Sequence, residues 1–148
     1  MIKEIDSYQI SLKLLLKNSD GEILALKAGR GSIEGYYDFP GGRIDTDEFK
    51  TDFANIIARE ISEEIGEVKY ELNPKPVAVG RHAIPAAMTT RGKDIRILYL
   101  FFEAKYLSGE IKISEEHTAI EWVDLNKIDV AKYFTSGFLS GVKMYLGK

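Results

Sequence analysis

The sequence predicts an α/β fold in which helices cover the faces of a mixed β-sheet. Three features predict it. A hairpin signal, Asn18-Ser19-Asp20-Gly21, separates two apolar segments near the start of the chain. Residues 54–65 contain no Gly or Pro and repeat with the period of a helix. Residues 95–106 are rich in β-branched and aromatic side chains, as buried strands are. With 148 residues, one domain over 1–148 is expected.

The first half of the chain is interpreted as a hairpin, a loop, a turn and a helix. Residues 7–17 alternate in polarity and then become a continuous leucine run, which predicts a strand that enters the core. Residues 22–27 form the returning strand. The glycines between residues 29 and 35 indicate a mobile loop, and Pro40-Gly41-Gly42 indicates a tight turn ahead of the helix.

The second half is interpreted as further strands and a final helix. Asn73-Pro74-Lys75-Pro76 predicts a break between two strands. Gly137 and Gly141 weaken the prediction of the last helix. In chain order we expect strands at 67–72, 77–84 and 95–106, a short return strand at 110–113, a polar loop at 114–118, a strand at 120–123, a helical turn at 124–127 and a helix at 130–146.

Composition excludes several classes of function. The net charge of −3 argues against a general nucleic-acid binder, and the chain has no cysteine for disulfides, thiolate metal sites or a cysteine nucleophile. Residues 1–6 carry charges of both signs and do not resemble a signal peptide. The apolar runs are too short to span a bilayer. We therefore expect a cytoplasmic protein without a membrane partner.

The predicted helix carries two different strips of side chains. At about 100° per residue, one side is acidic and another is apolar. Like charges at this spacing destabilise an isolated helix, whereas a divalent cation would offset their repulsion. The acidic strip consists of Glu60, Glu63, Glu64 and Glu67, and the apolar strip of Ala54, Ala58, Ile61 and Ile65, with Ile57 at its edge.

The glycine turn and this helix together resemble the Nudix box, Gly-x5-Glu-x7-Arg-Glu-U-x-Glu-Glu-x-Gly-U, where U is a bulky apolar residue. Gly42 and Glu48 match its first half, and residues 59–66 match its second half position for position. The resemblance implies an α/β/α sandwich with a mixed sheet. The segment Glu-Trp-Val-Asp-Leu at 121–125 also looks like a late strand of that family.

Two positions depart from the box. Ten residues, not seven, separate Glu48 from Arg59, so Thr51 holds the position that strict spacing gives to the first glutamate. The last apolar position is Glu67, with Val68 one place later. The first departure leaves open whether Glu48 pairs with Arg59 or is exposed to solvent. Glu67 lies outside the ligand positions of the family and is interpreted as a solvated residue.

The resemblance implies a metal centre and its chemistry. Glu60, Glu63 and Glu64 would coordinate Mg²⁺ or Mn²⁺, with the carbonyl of Gly41 or Gly42 as a further ligand. Arg59 would orient these carboxylates. The general base is left open between a ligand glutamate, Glu63 or Glu64, and a glutamate of the late loop. The candidate in that loop, residues 114–118, is Glu116, beside Glu115.

Candidate substrate contacts are less constrained by the sequence. Arginines would contact phosphates, and an aromatic residue ahead of the glycine turn would stack on a base. His82 and His117 lack metal-ligand spacing and are interpreted as structural or rim residues. The candidates are Arg30, Arg81, Arg91 and Arg96 for phosphates, Tyr36, Tyr37 and Phe39 for the base, and Gly41 and Gly42 for close backbone contact.

The resulting hypothesis is a metal-dependent hydrolase that cleaves a diphosphate linkage in a nucleoside diphosphate linked to another moiety or in a modified nucleoside triphosphate. A second hypothesis is a Nudix-fold module that binds or senses a nucleotide without hydrolysing it. A third is an interaction domain with an acidic face. The lack of cysteine disfavours the isomerase branch of the superfamily. Many members dimerise, so a homodimer is also an expectation.

Overall fold

The structure is a computed structural model and describes residues 2–148. Within that range the chain forms seven β-strands and three α-helices. Short 3₁₀ turns cover Thr46–Glu48 and Ala86–Met88. The elements are β1 (Gln9–Lys17), β2 (Ile23–Ala28), β3 (Tyr37–Asp38), β4 (Gly41–Arg43), α1 (Phe53–Ile65), β5 (Lys69–Ile84), β6 (Ile95–Ser108), β7 (His117–Val123), α2 (Val130–Tyr133) and α3 (Ser136–Tyr145).

The strands form one mixed sheet with the order β3-β2-β1-β6-β5. β1 and β6 are parallel, in a register that runs from Gln9 opposite Ile97 to Lys17 opposite Lys105. The other pairs are antiparallel, with β4 on β1 and β7 on β2. This confirms the predicted mixed sheet, because a hairpin and a parallel crossover share the strand β1.

The predicted hairpin at residues 18–21 is confirmed. The amide of Asn18 donates to the carbonyl of Glu22 at 2.9 Å, and the Asn18 side chain accepts from the amides of Asp20 and Glu22. Gly21 takes a positive φ of 78°, which a residue with a Cβ rarely adopts. Beyond Lys17 and Ile23 the two strands diverge, and β4 pairs with β1 alongside.

Side chains of β1 alternate between two cores, one on each face of the sheet. Leu12, Leu14 and Leu16 pack with the buried isoleucines of α1. Leu15 belongs to the opposite core, to which α3 contributes Phe138 and Val142. Helices therefore cover both faces, and the α/β/α sandwich that the resemblance implied is confirmed.

Helix α1 confirms the predicted helix and part of its apolar strip. Ile57, Ile61 and Ile65 are buried as predicted, whereas Ala54 and Ala58 are exposed. Ile56 and Glu64, which lie outside the predicted strip, are buried. The helix is turned so that part of its acidic side faces the interior of the protein.

The predicted break at residues 73–76 was wrong. β5 runs without interruption through Pro74 and Pro76 and shifts its register against β6 there. Proline is tolerated because β5 is the last strand of the sheet, where an amide need not pair with another strand. The two prolines that predicted a break instead lie in an edge strand whose register is irregular.

Two further boundaries differ from the expectation. Residues 110–113 form no strand, because the amide of Lys112 instead donates to the carbonyl of Ile65 at the end of α1. The predicted helix 130–146 is divided into α2 and α3 by an extended Thr135. Gly137 and Gly141 lie inside α3, where a Cβ would come within 2.5 Å of the Arg81 carbonyl oxygen and 2.1 Å of the Phe101 ring. These glycines let α3 approach the sheet closely.

None of the helices within residues 2–148 has the length and apolar character needed to cross a membrane.

Candidate active site

A cavity of about 420 Å³ lies beside the glycine turn. Its volume is within the range of pockets that bind small molecules. The residues that line it fall into a polar group and an apolar group. The polar group includes Lys13, Arg30, Asp38, Arg43, Glu60, Glu64, Glu116 and His117, and the apolar group includes Ala28, Ile33, Ile84, Ile97, Tyr99 and Phe138.

The glycine turn follows from the close packing of β4 on its neighbours. Gly41 has φ 135°, and a Cβ there would come within 2.0 Å of the carbonyl oxygen of Leu12 on β1. A Cβ on Gly42 would come within 2.2 Å of Oε2 of Glu60. The first glycine therefore admits a neighbouring strand, and the second admits a carboxylate from α1.

The three box glutamates occupy different environments. Glu60 and Glu64 both line the cavity, and burial raises the pKa of each carboxyl group. The side chain of Glu63 is 62% exposed and lies 3.3 Å from Nη1 of Arg59. It lines a second cavity of about 350 Å³ that also contains Glu60, Glu64 and Glu116. All three glutamates therefore line the second cavity, and Glu60 and Glu64 also line the first.

Arg59 holds the loop between β4 and α1 against the helix. Its Nε donates to Oε2 of Glu48 at 2.8 Å, and its Nη2 donates to Oε1 of Glu48. The same guanidinium lies 2.9 Å from Oε1 of Glu60 and 3.6 Å from a carboxylate oxygen of Asp45. Hydrogen bonds from Arg59 lower the pKa of Glu48. The pairing of Arg59 with Glu48 that the sequence left open is therefore present.

The three additional residues of the loop do not prevent this pairing. The 3₁₀ turn at Thr46–Glu48 points the Glu48 side chain back, where its Oε1 also accepts from the amide of Asp45 at 2.9 Å. Thr51, at the spacing-strict position, is exposed. The insertion is accommodated after this turn, in residues 49–52, where the amide of Thr51 donates to the carbonyl of Glu48 at 3.0 Å, and the charged pair keeps its contact.

A buried chain of charged groups lies below the glycine turn. Nζ of Lys13 is 3.0 Å from Oδ1 of Asp38 and donates to the carbonyls of Phe39 and Gly41 at 3.3 Å. Burial opposes the charge of Lys13, but Asp38, Glu64 and Tyr99 together outweigh it and the pKa of Lys13 is raised. Burial likewise opposes ionisation of Asp38, yet Lys13 and His117 lower its pKa. The pair is therefore ionised.

His117 joins this pair to the box. Its Nε2 lies 3.3 Å from Oδ2 of Asp38 and 3.8 Å from Oε1 of Glu64. Burial raises the pKa of Glu64 to about 8, because Lys13 offsets only part of the desolvation and Asp38 adds to it. Within residues 2–148, Oε1 of Glu64 is buried and has no hydrogen-bond partner. Glu64 is thus a carboxylate that needs a proton or a cation.

These contacts define a set of metal-compatible donors. Donor atoms of Asp38, Glu64 and His117 lie within 4.8 Å of one another. Among residues 2–148, no other set of three acidic, histidine or cysteine donors meets that distance. The side chains of Glu60, Glu63 and Glu64 therefore do not converge on one point, although Glu60 and Glu64 share the cavity.

Glu116 and Arg30 lie at the exposed side of the site. Nη2 of Arg30 is 3.9 Å from Oε1 of Glu116, and both side chains are mostly exposed. Both residues line the two cavities. Glu115, the other glutamate of the late loop, lines only the second of them. Arg30 is thus placed where an anion near the box would meet it.

The structure corrects two of the expected substrate contacts. Phe39 is completely buried, and its ring stacks on Phe134 with centroids 4.9 Å apart. It cannot stack on a base, because the residue before the glycine turn fills the core. Arg81 does not line the cavity; its Nη1 lies 3.4 Å from the hydroxyl of Tyr8. Neighbouring residues of a strand face opposite sides, and His82 is the one that faces the cavity.

The other candidate contacts lie outside the cavity as well. Tyr37 packs on Tyr133 with ring centroids 5.0 Å apart, and Tyr36 is 39% exposed. Arg96 pairs with Asp6 at 2.5 Å. Arg91 is exposed. None of these four lines the cavity.

His82 has a defined place that the sequence did not indicate. Its Nε2 lies 2.8 Å from Oγ of Ser32, and its Nδ1 lies 2.8 Å from Oγ of Ser136. Ser32 belongs to the loop that carries Arg30, and Ser136 begins α3. Burial lowers the pKa of His82. The ring therefore ties this loop to the other side of the cavity.

Sequence reasoning missed Lys13 and Asp38 and interpreted His117 only as structural. Lys13 interrupts an apolar run of β1, and a charged residue in a buried strand is a signal of a partner or of function. Asp38 lies directly before the residue that precedes the glycine turn. His117 is 79 residues from Asp38, so no local spacing indicates their contact.

The family profile described as NUDIX domain matches residues 7–138. Curated proteins gave no significant match.

Solved structures give many matches. The chain is similar to a MutT protein from Methanosarcina mazei Go1, at 24% identity and a TM-score of 0.74, with 98% of this chain and 97% of that chain covered. It is also similar to a MutT NUDIX hydrolase from Burkholderia pseudomallei, at 25% identity and a TM-score of 0.61, covering 83% and 88%. An Ap4A hydrolase from C. elegans matches at 17% identity and a TM-score of 0.64, covering 94% and 96%. Since the family profile matches residues 7–138 of the 148 residues, this chain belongs to the NUDIX family.

Proposed function

We propose that this chain hydrolyses a diphosphate linkage in a nucleoside diphosphate linked to another moiety or in a modified nucleoside triphosphate, with Mg²⁺ or Mn²⁺. The observation that carries the proposal is the position of Glu60 and Glu64. Both carboxylates line a small-molecule cavity, and Glu60 lies directly against the Gly42 backbone. A pyrophosphate bound beside the glycines would therefore meet the box glutamates.

The residues fit a divalent cation. Hard cations take oxygen ligands, and Glu60, Glu63 and Glu64 supply carboxylates on one helix side, with the Gly42 carbonyl as a further candidate. The unpartnered Oε1 of Glu64 supports this assignment. The Gly41 carbonyl is the weaker candidate, because it already accepts from Lys13. Such a cation neutralises phosphate charge and lowers the pKa of a bound water.

Other residues would bind the substrate and move the proton. Arg30 would contact a phosphate, since it is exposed at the cavity and held only by a 3.9 Å pair with Glu116. Glu116 would accept the proton of the water that attacks phosphorus, after which the bond to the leaving phosphate or nucleoside monophosphate breaks. Arg59 would keep Glu60 and Glu63 in place through its contacts with both.

The apolar part of the cavity would hold the rest of the substrate. Ile33, Ile84 and Ile97 lie there with the rings of Tyr99 and His82. A flat base can pack on such aliphatic and aromatic surfaces. This assigns base contact to the far wall of the cavity and not to Phe39.

A panel assay tests the proposal. ADP-ribose, dinucleoside polyphosphates and oxidised nucleoside triphosphates are each incubated with Mg²⁺ or Mn²⁺, with wild type, Glu63→Gln and Glu64→Gln. Glu67→Gln is the matched control, because Glu67 is an exposed glutamate just beyond the same helix. We expect one substrate class to be cleaved, a loss of about 100-fold or more for Glu64→Gln, and little change for Glu67→Gln.

Two results would contradict the proposal. Full activity of both Glu63→Gln and Glu64→Gln would refute the ligand assignment. Tight nucleotide binding without turnover under either metal would favour the second hypothesis, a binding or sensing module.

A further inference from the structure

A buried nitrogen donor lies beside the box carboxylates. Nε2 of His117 is 3.8 Å from Oε1 of Glu64 and 3.3 Å from Oδ2 of Asp38. All three donor atoms lie within 4.8 Å of one another. Ligands about 2.0–2.3 Å from a common cation are separated by distances of this order. The three atoms therefore surround a point that a metal ion could occupy with little movement of the side chains.

At this point the carboxylate of Asp38 has a cation in contact with it, whereas Oε1 of Glu64 has none. Lys13 balances Asp38 through Oδ1, at 3.0 Å. Glu64 is 8% exposed, and its Oε1 has no hydrogen-bond partner within residues 2–148. Nε2 of His117 lies 3.8 Å from this oxygen, beyond hydrogen-bond distance. Burying a carboxylate without a partner costs folding free energy, so a cation bound at this position would stabilise Glu64.

The second ring nitrogen does not fix His117 in another role. Nδ1 is buried and makes no hydrogen bond with any described residue. Without a metal, Nε2 donates to the ionised carboxylate of Asp38 at 3.3 Å. Because Nδ1 is unpartnered, the ring proton can move to Nδ1 when a cation binds, which leaves the lone pair of Nε2 for the cation. Its position comes from packing, since the side chain is 3% exposed at the start of β7.

We propose that Asp38, Glu64 and His117 form a second, inner cation site below the glutamate strip, and that it takes a borderline ion such as Mn²⁺ or Zn²⁺ in preference to Mg²⁺. The preference follows from the donor set. Imidazole is a good ligand for transition metals, whereas Mg²⁺ favours oxygen donors and retained water. Asp38, Glu64 and His117 all line the cavity, so an ion bound by them would be within reach of a phosphate that enters it.

The first experiment uses the two histidines of the chain as a matched pair. Binding of Mn²⁺ and Mg²⁺ to wild type, His117→Gln and His82→Gln is measured without nucleotide, with free Mn²⁺ read by electron paramagnetic resonance. His82 lines the same cavity but is bonded to two serines. We expect His117→Gln to weaken Mn²⁺ binding by about 10–100-fold and Mg²⁺ binding by much less. We expect His82→Gln to change neither.

A second experiment needs no variant. The imidazole ¹⁵N resonances of the wild type are recorded while Zn²⁺ is added. The Nε2 resonance of His117 should shift on binding, and the resonances of His82 should not. An unshifted His117 resonance at saturating Zn²⁺ overturns the proposal, as does His117→Gln protein that binds Mn²⁺ like the wild type. Equal losses of Mn²⁺ and Mg²⁺ binding also overturn it, because they would show that no nitrogen-selective site exists.

Neither measurement depends on turnover, so the inner site and the proposed hydrolysis can fail separately. A response of His117 to Zn²⁺ with no cleaved substrate would retain the site and reject the hydrolase. Cleavage of a substrate with no response of His117 to Zn²⁺ would support the hydrolase and reject the inner site.

Discussion

The Glu60 carboxylate occupies the space that a side chain on Gly42 would need, with Oε2 only 2.2 Å from the position of such a Cβ. The contact joins the turn after β3 to the acidic side of α1. Gly42 does not have the left-handed backbone angle of Gly41, so its lack of a side chain serves this contact. Its replacement should therefore move a carboxylate and leave the backbone in place.

We expect Gly42→Ala to fold normally and to lose about tenfold or more of metal-dependent activity, because the flexible end of Glu60 must move away from the turn. Gly41→Ala is the contrasting variant. It combines a positive φ with a Cβ 2.0 Å from the Leu12 carbonyl oxygen, so it should lower the melting temperature strongly. Thermal unfolding and activity assays on both variants test this. Similar losses of stability in the two would contradict it.

The Arg59–Glu48 pair predicts which residue of the long loop supports the helix. Glu48→Gln should lower activity by about 10-fold or more, because it weakens both hydrogen bonds that orient Arg59. Thr51→Ala, at the position of strict spacing, should have no measurable effect. Kinetics of the two variants under saturating metal give the comparison. A larger effect from Thr51 would mean that the loop has a different register in solution.

Removal of Lys13 should destabilise the protein through its buried partner. Lys13→Met leaves Asp38 as an uncompensated buried charge, which typically costs about 3–5 kcal/mol. The double variant Lys13→Met/Asp38→Asn should be more stable than Lys13→Met alone, since the second change removes that charge. Urea unfolding of the wild type, both single variants and the double variant measures the coupling. Strictly additive losses would show that the two groups do not interact.

The raised pKa of Glu64 predicts a pH-dependent stability of the metal-free protein. Its pKa is about 8 in the folded state and near its ordinary value when unfolded, so between these values the folded state binds more protons. Protonated Glu64 stabilises the folded protein fully below the pKa of the unfolded state, and this stabilisation is lost as the pH rises towards 8. Near its steepest the melting temperature should fall by about 4 °C per pH unit.

The matching control is Glu64→Gln, which should reduce the dependence of the melting temperature on pH. Added Mn²⁺ should restore stability most at high pH, where the carboxylate is ionised without a proton. Melting curves between pH 5 and pH 8.5, with a chelator or with Mn²⁺, provide the measurement. A melting temperature that rises with pH in the chelated protein would refute the assignment.

The sequence predicted the elements whose signals are local. The Asp-Gly hairpin, the glycine turn and the helix at the box are encoded by neighbouring residues, and each is present. Glu60 and Glu64 line the same cavity because helix geometry puts residues four apart on one side of α1. The contact between Arg59 and Glu48 could not be predicted, because the irregular segment 49–52 between them accommodates the insertion.

What the sequence missed depends on contacts distant along the chain. Asp38 meets His117 across 79 residues, and Lys13 meets Phe39 and Gly41 through the pairing of β1 with β4. The burial of Glu64 was missed for a related reason. Helical periodicity placed the carboxylates on their own strip but could not show that a cavity encloses one of them.

The prolines of β5 have a consequence for how molecules of this protein meet one another. Pro74 and Pro76 lie in the outermost strand and have no amide hydrogen to offer. A strand arriving from a second molecule would find donors missing at two places and a ladder with an uneven register. This border of the sheet is therefore a poor template for fibril growth, even at high protein concentration.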